Sequence, residues 1–396
     1  MTKTFVVVGA NLAGGRAVET LRAEGFDGRI VLIGAEPDRP YERPPLSKEV
    51  LRGESEPVFL RPEDWYASHE IELRLGLRAD ALLDSSVVLS TGEQVAFDAC
   101  LLATGGRPRR LHEADRPSVH YLRTMRDAIA LRDALASKPG VVVVGAGFIG
   151  AEVAASARTV GCDVTMIEVL DVPLARVLGP ELGDIYARIH RDHGVDLRLG
   201  EGVEEITADG VIGTSGKAYP ADLVVVGVGI EPNVELAANA GVSCENGVVV
   251  DEFCRTSAAN VFAAGDVANR PDEFSGSRIR AEHFQNAQNQ GVAAARNMLG
   301  HGEPFREVPW FWSDQYEVNL QTLGHPSASH DRVTRGRLDD LDFIAFDLAG
   351  DRIVAAVAMN RGRDIAAARR LIERRVSVDR GQLADEDRPL RDLLRG

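Results

Sequence analysis

Val141-Val142-Val143-Val144-Gly145-Ala146-Gly147-Phe148-Ile149-Gly150 begins as an apolar run, passes three glycines and enters a segment patterned as a helix to about Val160. An apolar strand, Val164–Ile167, follows and ends at an acid, Glu168. Apolar run, turn, helix and second run in this order are what a parallel, doubly covered sheet requires. The glycines have separate tasks: the first permits the tight turn, the second lets a pyrophosphate approach the backbone, and the third lets helix and strand pack closely. The helix N-terminus then offers unpaired N–H groups and a positive dipole end to phosphates.

The same order occurs once before. Thr4–Val8 leads into Gly9-Ala10-Asn11-Leu12-Ala13-Gly14, a helical stretch to about Glu24, the strand Ile30–Ile33 and an acid, Glu36. One copy is weak evidence; two copies in strand–helix context predict two Rossmann-like dinucleotide-binding domains. Asn11 takes the second glycine's place, and Asn tolerates unusual backbone angles better than most residues. Glu36 and Glu168 are expected to accept hydrogen bonds from a ribose 2′-hydroxyl. Val169-Leu170-Asp171 supplies no arginine for a 2′-phosphate and adds a second repelling carboxylate, so NADH is expected over NADPH. Arg176, farther on, is a further candidate contact to the cofactor. Each unit is followed by a strand ending in glycine, at Leu101-Leu102-Ala103-Thr104-Gly105 and at Val224-Val225-Val226-Gly227-Val228-Gly229, and Asn260–Ala263 runs into Ala264-Gly265-Asp266.

The chain has 396 residues, too many for one ordinary core. From about Asp314 its character changes: Asp342–Leu348 and Arg352–Met359 read as antiparallel strands and Asp364–Arg375 as an arginine-rich helix. With 44% hydrophobic and 27% charged residues it reads as folded, and no apolar run reaches the roughly 18–20 residues that span a bilayer. Met1–Val8 carries no signal-peptide pattern, so a cytoplasmic protein is expected. A net charge of −15 argues against a nucleic-acid binder. Only four basic residues are lysines: Lys3, Lys48, Lys138 and Lys217. The four cysteines, Cys100, Cys162, Cys244 and Cys254, form no C-x-x-C pair, which suggests neither a redox disulfide nor a metal or iron–sulfur site.

Tyr41-Glu42-Arg43-Pro44-Pro45-Leu46-Ser47-Lys48, Ala103-Thr104-Gly105, Gly265-Asp266, Asn286-Ala287-Gln288-Asn289-Gln290-Gly291 and Pro309-Trp310-Phe311-Trp312-Ser313-Asp314-Gln315 complete the pattern. With them the chain resembles, over essentially its whole length, the FAD-dependent ferredoxin reductases of bacterial Rieske-type oxygenases and class I cytochrome P450 systems, whose fold is similar to glutathione reductase. The resemblance implies that Gly9, Gly14 and Glu36 hold the ADP half of FAD, with Arg43 by its phosphates and Asp266 on the ribityl chain. Ala103, Thr104 and Gly105 are flavoprotein motif positions. Lys48 is placed beside the flavin, paired with Glu152; a compact ammonium there favours a negatively charged reduced flavin. The alternative for Lys48 and Glu152 is an ordinary surface loop charge and helix charge. Trp312 and Phe284 are expected on the flavin side, Phe284 where many members have tryptophan, while Trp310 and Phe311 fit a domain-interface core equally well. On the NADH side the candidates are Gly145, Gly147, Ile149, Gly150, Glu152, Glu168, Arg176 and Gly229.

The expected architecture is α/β, with an FAD domain from 1–110 and 238–313, an NADH domain at 111–237 and a C-terminal α+β domain at 314–396. Disulfide-reductase relatives carry a flavin-proximal cysteine, and Arg43–Lys48 has none, so electrons are expected to leave from FAD directly. FAD accepts two electrons as hydride and can release them singly, which suits a small ferredoxin, [2Fe–2S] or similar. The reductase is expected to act as monomer or homodimer. The runner-up readings are a rubredoxin reductase, a quinone-reducing or oxygen-consuming NADH oxidase, and a redox sensor similar to the apoptosis-inducing-factor group.

Overall fold

A computed structural model describes residues 2–111, 116–327 and 329–395. The chain divides into two compact units. One comprises Met1–Glu42, Pro57–Arg107 and Ile230–Glu307; the other comprises Arg43–Glu56, Pro108–Gly229 and Val308–Gly396.

In the first unit, the β-branched run Thr4–Val8 is the centre of a five-stranded parallel sheet, ordered Val261–Ala263, Ala99–Leu102, Thr4–Val8, Arg29–Gly34, Ile71–Leu75. Alternate side chains enter two cores. Phe5 and Val7 pack with Leu12, Val18 and Leu21 of the helix Leu12–Ala23 and with Ala294 and Met298 of the helix Phe284–Met298. Val6 and Val8 pack on the opposite face with Leu82, Val87, Leu89 and Val95, side chains of a three-stranded antiparallel sheet. The two helices approach closely at Gly291, where a Cβ would lie 2.4 Å from the Ala13 carbonyl oxygen.

The second unit repeats the plan. Its parallel sheet runs Asp196–Leu199, Asp163–Glu168, Gly140–Val144, Leu223–Val226, Val119–His120. A second sheet is antiparallel, ordered Trp310–Gln315, Val318–Gly324, Arg352–Met359, Asp342–Ala349, Asp331–Arg337, and the helix Gly362–Glu373 buries Ile365, Ala368, Leu371 and Ile372. The expected NADH and C-terminal segments fall in this one unit because they share a core: Leu178, Leu182, Tyr186 and Ile189 of Ala175–Asp192 pack with Leu320, Phe343, Val357 and Met359. Arg43–Glu56, expected within the 1–110 segment, also belongs here, held by a buried ion pair to Glu152. No helix among the described residues is long and apolar enough to cross a membrane.

Candidate active site

Gly9 has φ +121°, and a Cβ there would sit 2.0 Å from the Ala103 carbonyl oxygen, so both backbone angle and space demand glycine. Gly145 repeats this at φ +97° in the second unit, against Gly227. Gly14 and Gly150 are contact glycines, each with its missing Cβ 1.9 Å from the carbonyl of the first glycine in its turn. Gly147 differs: its φ is −74°, and a Cβ would find nothing nearer than 4.0 Å, so the space above it is open. Asn11 is likewise extended, at φ −125° and ψ −155°. The unusual angle invoked for Asn11 is therefore not needed; extended backbone suits any residue.

Both helices start in the manner of an anion site. Leu12–Ala23 and Phe148–Thr159 have no side-chain cap and no acid in the first turn. The helix Met125–Leu135, by contrast, is closed by a Thr124–Asp127 capping box. A helix left uncapped keeps donors for an oxyanion, so both turns fit the phosphates of FAD and NADH.

Around the first turn, Tyr41, fully buried, donates its hydroxyl to Glu36 Oε2 at 2.5 Å. Thr104 is tied into the protein: its Oγ1 donates to the Asn233 carbonyl, and Asn233 Nδ2 donates back to the Thr104 carbonyl, both at 2.8 Å. Gly105 accepts from the Asn233 N–H. Nothing in the sequence around Asn233 marks it, because its partner is far away in the chain. Asp266 lies in the Gly265–Val267 turn, whose Gly265 N–H donates to the wholly buried Gln290 Oε1 at 2.9 Å. Phe284 opens its helix and packs half-buried on the first core.

Around the second turn, Glu168 accepts from Ala146 N at 2.7 Å and from Leu170 N at 3.0 Å, bracing the glycine loop from the strand end. Ile149 and Val169 expose 43% and 63% of their surface, leaving apolar flanks beside the loop. Leu174 N donates to the Ala146 carbonyl, which brings the start of Ala175–Asp192 to the same loop and leaves Arg176 exposed on its first turn. Gly229 accepts from Arg109 N at the edge of the unit.

Lys48 and Glu152 are not surface charges. They are 6% and 3% exposed, with Lys48 Nζ 2.6 Å from Glu152 Oε2. Burying such a pair is costly unless hydrogen bonds satisfy what remains. Here Ser47 Oγ donates to Glu152 Oε2 at 2.5 Å, Ser313 Oγ to Oε1 at 2.6 Å, and Lys48 Nζ also to the Pro44 carbonyl at 3.2 Å. Ser156 Oγ secures the loop by donating to the Ser47 carbonyl at 2.7 Å. Ser47 and Ser313 stand in the quoted motifs, but nothing local marks them as partners of one carboxylate. Arg43, expected by the FAD phosphates, lies in this second unit and donates to the Arg123 carbonyl. Trp312 stacks on Trp310 at 5.1 Å, Phe311 turns to Phe148 at 4.1 Å, and the Arg369 guanidinium lies 5.5 Å from the Trp310 ring centre.

Comparison with known proteins shows the family. Residues 3–291 match the pyridine nucleotide-disulphide oxidoreductase family and residues 310–394 the reductase C-terminal family. The chain is 44% identical to the anthranilate 1,2-dioxygenase system ferredoxin–NAD(+) reductase component of Burkholderia cepacia, covering 98% of this chain and 99% of that protein. The chain belongs to the ferredoxin–NAD(+) reductase family. Its likeness to rhodocoxin reductase of Rhodococcus erythropolis is 41% identity over 97% of this chain and 92% of that one. Among solved structures, a covalent putidaredoxin reductase–putidaredoxin complex matches with TM-score 0.94 and 37% identity, over 99% of this chain and 98% of that one. As a ferredoxin–NAD(+) reductase the protein is an FAD- and NADH-dependent oxidoreductase that passes electrons to a ferredoxin.

Proposed function

We propose that this cytoplasmic reductase delivers electrons singly to a small [2Fe–2S] ferredoxin, which feeds an oxygenase or cytochrome P450. The observation that carries the proposal is Lys48. The Arg43–Lys48 stretch, where a disulfide-reducing enzyme would need a flavin-proximal cysteine, holds none, and its Lys48 ammonium is paired with a buried carboxylate. The cysteines elsewhere offer no substitute: burial pushes the Cys254 thiol up to about 12, and those of Cys100, Cys162 and Cys244 also upward. Thiolates, not thiols, carry such chemistry. A relative solved in covalent complex with putidaredoxin supports a protein acceptor. NADH-driven cytochrome c reduction should therefore rise at least about tenfold on adding a [2Fe–2S] ferredoxin, a factor that needs only about 1.4 kcal/mol of barrier difference. Equal turnover with rubredoxin, or with oxygen or quinone alone, would favour the runner-up enzymes; a stable reduced flavin with little turnover and dimerisation would favour the sensor.

In this reading Gly9, Gly14, Glu36 and Asp266 hold FAD, with Ala103, Thr104, Gly105, Arg43, Phe284 and Trp312 lining it. Gly145, Gly147, Ile149, Gly150, Arg176 and Gly229 hold NADH, and Glu168 receives the ribose 2′-hydroxyl with the lone pairs its two backbone donors leave. Lys48 and Glu152 set the ease of flavin reduction. The FAD, NADH and C-terminal segments are read as three functional parts. Glu168→Ala with Asp171→Arg should shift the ratio of kcat/KM values toward NADPH by about tenfold or more, since it replaces repulsion by a charge-assisted contact. A wild type that already uses both cofactors equally would defeat the argument.

A further inference from the structure

An unbroken line of hydrogen bonds in the second unit ends on the Lys48–Glu152 pair. Its direction can be worked out from Glu152 outward. Ser313 has one hydroxyl proton, and only by donating it does Ser313 Oγ meet Glu152 Oε1 favourably at 2.6 Å. Ser313 must then accept from its other neighbour, so Gln315 presents Nε2 to it at 3.1 Å. Gln315 Oε1 consequently faces His190 Nε2 at 3.0 Å, and that nitrogen must carry the ring proton. His190 Nδ1 is left to accept from the Tyr316 hydroxyl at 3.3 Å. His190 and Ser313 are wholly buried and Gln315 is 1% exposed. Burial pushes His190 down to about 4, so at neutral pH it is the neutral ring this polarity needs, with one donor and one acceptor.

We propose that Ser313, Gln315 and His190 are positioning residues for the reductase reaction: the line aims the Ser313 proton at Glu152, holds the carboxylate in one orientation as an acceptor, and so fixes the Lys48 ammonium. The proposal rests on the reading of Lys48 as the residue that sets flavin reduction. It assigns work to three side chains on Trp310–Gln315 and Ala175–Asp192 that have no part in either glycine turn. A half-satisfied buried network is costly, whereas a complete one holds a single arrangement.

The test uses the FAD-loaded protein. Ring ¹⁵N NMR of His190 at neutral pH should show the Nε2-protonated tautomer; an Nδ1-protonated ring or an imidazolium overturns the polarity and with it the line. Gln315→Leu, close in volume but lacking the amide, should slow flavin reduction by NADH about tenfold, the scale of one lost hydrogen bond to a charged group, and lower the flavin midpoint potential. Ser313→Ala, too small a change to disturb packing, should do the same. Gln315→Leu added to Lys48→Met should cost nothing beyond Lys48→Met alone, because both act through one group. A defect in Lys48→Met with wild-type rate and potential in both Gln315→Leu and Ser313→Ala sinks the line alone; a silent Lys48→Met sinks the reading beneath it as well.

Discussion

Lys48→Met should slow flavin reduction by NADH on the order of a hundredfold, comparable to removing one preorganised donor from a charge-stabilising site, while FAD stays bound. The basis is burial. An exposed ammonium is screened by water and salt, but Lys48 is 6% exposed and anchored at 2.6 Å on Glu152, so its field acts through a medium that weakens it far less. Met keeps the length and apolar stem of the side chain and removes only the charge and its donors. Stability falls too, because Glu152 keeps Ser47 and Ser313 but loses its cation, and breaking a buried pair on one side costs about 3–5 kcal/mol. Adding Glu152→Gln should restore the stability by removing the stranded charge without restoring the rate. Stopped-flow reduction of FAD-saturated protein measures the rate, and thermal melts measure the stability. Unchanged reduction kinetics would leave Lys48 as a structural ion pair only.

Arg370→Glu with Arg374→Glu should slow ferredoxin reduction about ten- to a hundredfold at low salt, through the association rate. Towards an acidic ferredoxin the reductase, at −15, is repelled by net charge. Steering then needs a local basic patch, since exposed charges act over about 8–10 Å at physiological salt. Residues 316–396 hold 14 arginines against 14 acids, so the negative charge lies in the rest of the chain. The helix Gly362–Glu373 and its cap decide which arginines are available. Arg361 is committed to Asp342 and Glu386, each at 2.8 Å, and Arg369 lies over Trp310. Arg363, Arg370 and Arg374 are exposed, with no ion pair among the described residues, so their charge faces solvent. Arg369 brings this cationic face to the stacked Trp310 and Trp312. Ferricyanide reduction should not change in the double variant, because a small acceptor needs no docking surface, and the salt dependence with ferredoxin should flatten. Equal ferredoxin kinetics at low salt would move the docking surface elsewhere.

Both strand–turn–helix–strand units could be read from the sequence because their causes are local. A buried parallel strand needs a continuous apolar run, a positive φ needs Gly9 or Gly145, and a helix–strand contact needs Gly14 or Gly150. These demands act within a few residues and leave their mark in order along the chain. The pairing of Lys48 with Glu152 was available only through resemblance; by the residues alone each charge fitted a surface equally well. Tertiary structure decided it, because burial of a charge depends on partners brought from elsewhere: Glu152 lies 104 residues from Lys48 and 161 from Ser313. The two faces of Trp310-Phe311-Trp312 were undecided for the same reason, until the strand's alternation sent Phe311 to Phe148 and stacked the tryptophans. His190 and Asn233 carry no local signal, and Gln315, although it ends the Pro309–Gln315 motif, carries no sign of its partner His190. A hydrogen bond between side chains is as strong across a hundred residues of sequence as across four, and only the short-range ones repeat with a period that a sequence can display.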